Sequence, residues 1–237
     1  MKIQSPKKLC QKYLLSYQFI FLLVKNHIDK IPKTLYIVKY MGTSNFASVV
    51  KKIYESNINF FSTKTLRDII TVSNENTFFK YIRRLVKEGI LNKIERDKYI
   101  ISKAKISDFE LANFLIFPSY VSFESALNFW GVLSQFPYEV TSATPKKTRS
   151  KKYKEKVFSY THIDKNLFFG YEKIDNFLIA NPEKSLLDEI YLASKGIKKI
   201  NFEELDFTKI KKKIIKDYLS YYPKTRQFLK GITKLPL

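Results

Sequence analysis

Thr77, Lys80, Tyr81 and Arg84 recur at i, i+3, i+4 and i+7, a spacing that places them on one face of a helix. Asn74 and Asn76 stand at the N-terminal end of that helix. Amide, hydroxyl, ammonium and guanidinium groups in this pattern can hydrogen-bond to base edges and phosphate oxygens in a DNA major groove. Arg96 and Lys98, further along, are placed to meet backbone phosphate. The competing reading is a solvated basic face on an ordinary helical domain.

A second concentration of charge is PKKTRSKKYKEK, residues 145–156. It carries Lys146, Lys147, Arg149, Lys151, Lys152, Lys154 and Lys156 against the one acid Glu155. As a long basic loop or hairpin tip, it could touch nucleic-acid backbone or a partner through Lys146, Lys147, Arg149, Lys151 and Lys152. It could equally be a solvated turn.

Catalytic chemistry finds no comparable support. There is no GxGxxG, no phosphate-cradling glycine loop and no GxSxG. The histidines are His27 and His162, and the single cysteine is Cys10, so no common Cys/His zinc site can be assembled. Asp188 and Glu189 are adjacent and point to different sides of a helix. Glu183, Lys184 and Asp188 read as a structural polar cluster. The chain therefore reads as a non-enzyme without catalytic residues, metal or cofactor.

The elements that position these residues follow from local signals. Phe46, Val49, Val50 and Ile53 mark a first helix over residues 46–56. Ser62 and Thr63 can cap a second, with Leu66, Ile69 and Ile70 inward. After a break at Val72-Ser73-Asn74, a third helix runs from about Glu75 to Glu88, with Phe79, Ile82, Leu85 and Val86 inward. Gly89 ends it, and residues 90–94 and 99–101 read as two strands joined at Arg96-Asp97-Lys98. Helix, turn, helix, hairpin is the order of a winged helix-turn-helix.

Beyond Ser102, Ser107 caps a helix and Ser122 begins another, with Pro118 setting the turn between them. Residues 138–144, 157–163, 167–171 and 177–180 read as strands of a small antiparallel sheet. Asn181-Pro182-Glu183 opens a strong helix, with Leu186, Leu187, Ile190 and Tyr191 apolar. Two closing helices, over 208–221 and 223–232, offer Ile210, Ile214, Leu219, Phe228 and Leu229 to a core.

The expected fold is α+β. Residues 46–102 form a winged helix-turn-helix domain, and 103–237 form an α+β domain with a small antiparallel sheet and C-terminal helices. Residues 1–45 have two readings: a helical extension that packs on the wing domain or a second subunit, or sequence added by an upstream start codon. The chain has 237 residues and a net charge of +21, which attracts nucleic acid or an acidic surface. It is also rich in Lys, Ile, Asn, Phe and Tyr, the residues that A+T-rich genomes encode. One cysteine excludes an intrachain disulfide and fits a reducing cytoplasm. No apolar run approaches the ~18 residues that span a membrane.

Four segments of the second domain then resemble the AbiEi family of antitoxins: YVSFESALNFWGVL (120–133), VTSATPKKTR (140–149), FSYTHI with NLFFGY (158–171) and FLIANPEKSLLDEIYL (177–192). Their order and spacing fit that family over residues 46–195. ANPEKSLLD, after a GY-containing strand, is the most specific piece. The resemblance implies the antitoxin half of a type IV toxin–antitoxin pair. Its winged domain would repress its own operon at inverted repeats in the promoter. Its second domain would oppose a nucleotidyltransferase-like toxin, as a monomer in solution or a dimer on DNA. The alternatives are a module that neutralises the toxin by direct binding, and a winged-helix regulator with no toxin partner.

Overall fold

The computed structural model describes residues 44–236. The expectations for the N-terminal extension, Cys10 and His27 lie outside these residues. The fold is α+β, and its contacts divide it into two compact units: residues 44–58 with 64–91, and 59–63 with 92–236.

The first unit is helical. Helix α1 (Ser44–Glu55) buries Phe46, Val49, Val50 and Ile53, the stripe its spacing predicts. Helix α2 (Thr63–Ile69) buries Leu66, and Ile70 follows it into the core. Helix α3 (Glu75–Lys87) starts on Asn74, whose side chain accepts the Thr77 N–H at 3.1 Å. It stops at Gly89, with φ +67°. There the Ile90 N–H reaches the Leu85 carbonyl at 2.9 Å, and the Gly89 N–H reaches Val86 at 3.1 Å, closing a Schellman motif.

The buried stripe of α3 corrects the expectation. It is Phe78, Ile82 and Leu85, while Phe79 is exposed and Val86 half-buried. At about 100° per residue, positions 78, 82 and 85 coincide within one narrow stripe. Phe79 and Val86 sit together roughly a quarter turn away from it.

The second unit holds two sheets. Strands β1 (Phe60–Ser62), β2 (Leu91–Glu95) and β3 (Lys98–Ile101) are ordered β1-β3-β2, with Phe60 opposite Ile100 and Ser62 opposite Lys98. β1 is an unanticipated strand. Asp97 turns the β2–β3 hairpin at φ +63°, a conformation that aspartate tolerates. The Thr63 hydroxyl donates to the Asp97 carboxylate at 3.0 Å, where the sequence suggested a helix cap.

Helix α4 (Asp108–Leu115) opens on a capping box formed by Ser107 and Glu110. Next come β4 (Tyr120–Val121), α5 (Phe123–Phe129), β5 (Val140–Thr144), β6 (Arg149–Tyr153), β7 (Lys156–His162), β8 (Tyr171–Ile174) and β9 (Phe177–Ala180). The six strands are ordered β6-β7-β5-β4-β9-β8. This sheet is mixed rather than antiparallel, because β5 runs parallel to β7 and β4 parallel to β9. The basic segment is itself an edge strand, β6, paired with β7. Lysine-rich strands are tolerated at edges, where charge blocks further strand addition.

Adjacent residues of β4 face opposite ways. Val121 enters a core with Leu111, Ala112 and Leu115 of α4, and with Phe158 and Ile179. Tyr120 enters the other, built on α6 (Pro182–Ser194), α7 (Lys212–Leu219) and α8 (Arg226–Ile232). Ile215 of α7, Phe228 of α8 and Tyr222 between them are buried, whereas Leu229 is exposed and Ile214 half-buried.

Candidate nucleic-acid interface

The Phe78–Ile82–Leu85 stripe decides what α3 presents outward. Tyr81 is half-buried and stacks on Phe46 of α1, with ring centroids 6.0 Å apart. The Arg84 guanidinium lies over the same ring at 3.9 Å. Thr77 is half-buried, and the Asn74 side chain is engaged as the helix cap. Asn76 and Lys80 are exposed, and Arg83 and Lys87 continue their row at i+7 and i+11. Phe79 flanks the row.

Arg83, Lys87 and Phe79 are therefore the outward residues that the sequence reading passes over. Taking Phe79 for the buried member of Phe78-Phe79 turns the whole outward face by about 100°. Local pattern does not separate two adjacent phenylalanines. Glu75, the one acid in the first turn, is held by Arg67 at 2.8 Å, and Arg67 also lies over the Phe78 ring. The exposed row thus combines amide, ammonium and guanidinium groups, with no acid on it.

In the second unit, Arg96 is exposed at the hairpin turn, its Nε 3.7 Å from Asp97. Lys98 turns inward and holds Glu95 at 2.7 Å and the Leu115 carbonyl. Lys151 joins it at Glu95, at 2.6 Å. Burial pushes the Glu95 carboxyl up, but the hydrogen bonds and charges of Lys151 and Lys98 prevail and hold it below the usual carboxylate range. Lys156 pairs with Asp108. Lys146, Lys147, Arg149, Lys152 and Lys154 remain exposed along the edge strand and its flanks. His162 is exposed at the end of β7, with Nδ1 3.0 Å from the Lys146 carbonyl.

The cluster read as Glu183, Lys184 and Asp188 is larger than its sequence suggests. Lys184 and Asp188 pair one helical turn apart on α6, both fully buried. The Tyr222 hydroxyl accepts from Lys184 at 2.9 Å and donates to Asp188 at 2.7 Å. Tyr120 and Ser122 donate to the second carboxylate oxygen at 3.1 and 3.0 Å. The rings of Phe169, Tyr222 and Tyr120 surround the ammonium at 5.0, 5.3 and 5.7 Å. Burial lowers the Lys184 pKa and Asp188 opposes the shift. Burial, then the Asp188 charge, raises both Tyr120 and Tyr222. Glu183 turns away and accepts the Lys211 N–H at 2.7 Å.

Every polar member of this network has a hydrogen-bond partner and is buried, so the cluster ties α6, β4 and the segment after α7 together. Beside it, Lys198 pairs with Glu124 and lies 3.9 Å from the buried Glu189. Burial and the neighbouring Glu124 carboxylate push the Glu189 carboxyl up to about 8, against the pull of Lys198. Among the described residues, no three His, Cys, Asp or Glu side chains gather to hold a metal ion. Nor is any helix among them long and apolar enough to cross a membrane.

Comparison with known proteins yields no matching family model and no matching curated protein. Among solved structures, the crystal structure of RV2827C protein from Mycobacterium tuberculosis is similar at a TM-score of 0.49 and 15% identity. The likeness covers 82% of this chain and 73% of that one.

Proposed function

We propose that this chain is an AbiEi-like antitoxin of a type IV toxin–antitoxin pair and a repressor of its own operon. Residues 46–102 serve as a winged helix-turn-helix that reads inverted repeats in the promoter, and 103–237 oppose a nucleotidyltransferase-like toxin in the cytoplasm. The protein is not an enzyme and needs no cofactor. The observation that carries the DNA-binding half is the outer row of α3, Asn76, Lys80, Arg83 and Lys87, exposed on a helix with a firm cap and stop. The chain order of α2, α3 and the β2–β3 hairpin supports it. The antitoxin half rests on the segments around ANPEKSLLD.

A band-shift titration on the promoter upstream of the gene tests this reading. Specific retardation is expected, competed by unlabelled operator and not by random duplex. Equal competition by both would defeat the repressor reading. A second reading, direct capture of the toxin, is favoured by the exposed cations of the β6 edge, Arg149 and Lys152. Copurification of the two proteins through high salt distinguishes it.

A further inference from the structure

Between α5 and β5 the chain carries Phe136 and Tyr138, 90% and 94% exposed, on either side of Pro137. Neither ring contacts another ring or a cation among the described residues. The arch that bears them is pinned on both sides. The Asn128 amide donates to the Leu133 and Gln135 carbonyls at 3.1 and 3.0 Å. The Ser125 hydroxyl donates to the Glu139 carbonyl at 3.2 Å and accepts the Thr141 N–H at 2.8 Å. Pro137 fixes its own φ and favours extended backbone at Phe136. The fold thus holds two large rings out in water on a braced segment, and rings held in this way lose little freedom when a partner covers them.

The strand register sets what stands beside them. Val140 pairs with Phe158 and Phe158 with Lys151, so the start of β5 and the β6–β7 hairpin lie at one end of the sheet, about 10 Å apart across two strand spacings. Lys152 alternates to the face opposite Lys151, the face that carries Ser159. Glu139, next to the arch, lies on that same face, since its carboxylate accepts the Ser159 hydroxyl. Lys152 is exposed and has no ion-pair partner among the described residues. Lys154, in the hairpin turn, is exposed and lies against the Tyr153 ring alone. Glu155 is the one acid of that turn. Free ring faces beside free ammonium groups are the combination that holds single-stranded nucleic acid, because bases stack on the rings while the cations follow the phosphates. The lysines select an anionic polymer over an apolar pocket, and a duplex keeps its bases stacked on one another, away from the rings.

We propose that the arch over residues 136–138, with Lys152 and Lys154 of the β6–β7 hairpin, binds single-stranded nucleic acid, with bases stacked on Phe136 and Tyr138. The site is separate from the outer row of α3 and does not rest on operator binding. The test is fluorescence anisotropy of the full chain with a short labelled oligothymidylate, an oligouridylate of equal length, and an abasic strand of equal charge. The strands that carry bases are expected to bind about tenfold or more tightly than the abasic one. Phe136→Ala and Tyr138→Ala should each weaken that binding about tenfold, and Tyr138→Phe should keep it. Lys152→Gln should lower the salt slope by about 0.7. Binding of duplex should be the same in both alanine variants as in the parent, which separates this site from the operator-binding face. Tighter binding of oligouridylate assigns the site to RNA and tighter binding of oligothymidylate to DNA, while equal affinities show recognition by stacking alone. An abasic strand bound as tightly as the others, affinity indifferent to both alanine variants, or an equal loss on duplex overturns the proposal. So does failure of either strand to bind, including the case in which the rings capture a protein instead. Both rings are exposed, so their variants fold as the parent does.

Discussion

Lys184 and Asp188 form an ion pair inside the core, and Tyr222, from beyond the next helix, bridges both charges. A buried pair of this kind adds little over well-packed apolar residues, but removing one partner strands the other charge in a medium that cannot solvate it. Asp188→Ala is therefore expected to destabilise the fold by roughly 3–5 kcal/mol in urea unfolding. A combined Lys184→Met, Asp188→Leu variant should recover much of that loss. If Asp188→Ala unfolds at the parent's midpoint, the pair is not a stabilising contact.

Gly170 packs against the same lysine. Its φ is +69°, and a Cβ built there would stand 3.1 Å from Lys184 Cγ and Cδ. Gly89 has a similar φ of +67° but open space around it. Gly89→Ala should cost about 1 kcal/mol, from backbone strain alone. Gly170→Ala should cost roughly 1–3 kcal/mol more, because the lysine it meets is locked by its partners. Equal losses in a thermal unfolding comparison would refute the difference.

Glu189 supplies a pH dependence with a definite sign. Its carboxyl is raised in the folded chain to about 8, from an ordinary 4.5. The folded chain therefore keeps a proton that the unfolded chain releases, and this stabilisation is complete below the ordinary value. It is lost as pH rises through about 8. Glu189→Gln keeps the shape and removes the titration, so its stability should decline less between about pH 5 and about pH 9 than the parent's. Parallel declines in the two proteins would show that Glu189 does not retain its proton.

On α3, Lys80→Ala and Arg83→Ala are expected to weaken operator binding by ~1–3 kcal/mol wherever the side chain reads a base. Lys87→Ala, further along the row, should weaken all duplexes alike and lower the salt slope by about one. Arg84→Ala should act instead on stability, by about 0.5–2 kcal/mol, since its guanidinium rests on Phe46. Fluorescence anisotropy over a salt series separates the Lys80 and Arg83 variants from that of Lys87, and urea unfolding reads the Arg84 variant. An Arg84 variant with normal stability and no operator binding would restore it to the outward face.

Features set by nearest neighbours were legible before any coordinates. Ser107 and Asn181 cap helices, and Gly89 ends one, because a cap involves a few residues on the same stretch of chain, whereas Asn74, read as a base contact, caps α3 instead. The α1 stripe was equally plain, since its spacing admits one register. The candidate interface was only half legible. Asn76 and Lys80 were anticipated, whereas Arg83 and Lys87 depended on which of two adjacent phenylalanines faces the core.

From the sequence alone follow the helix caps at Ser107 and Asn181, the stop at Gly89, the α+β composition and the excess of basic charge, all of which are local or additive properties. Tertiary structure decided that residues 149–153 are a strand and not a loop, because only β7 supplies their hydrogen-bond partners. It decided likewise that Lys184, which reads as a member of a structural polar cluster with no burial attached, lies fully buried. The aromatic rings and hydroxyls that compensate its charge come from Tyr120, Phe169 and Tyr222, scattered along the chain and brought together only by folding.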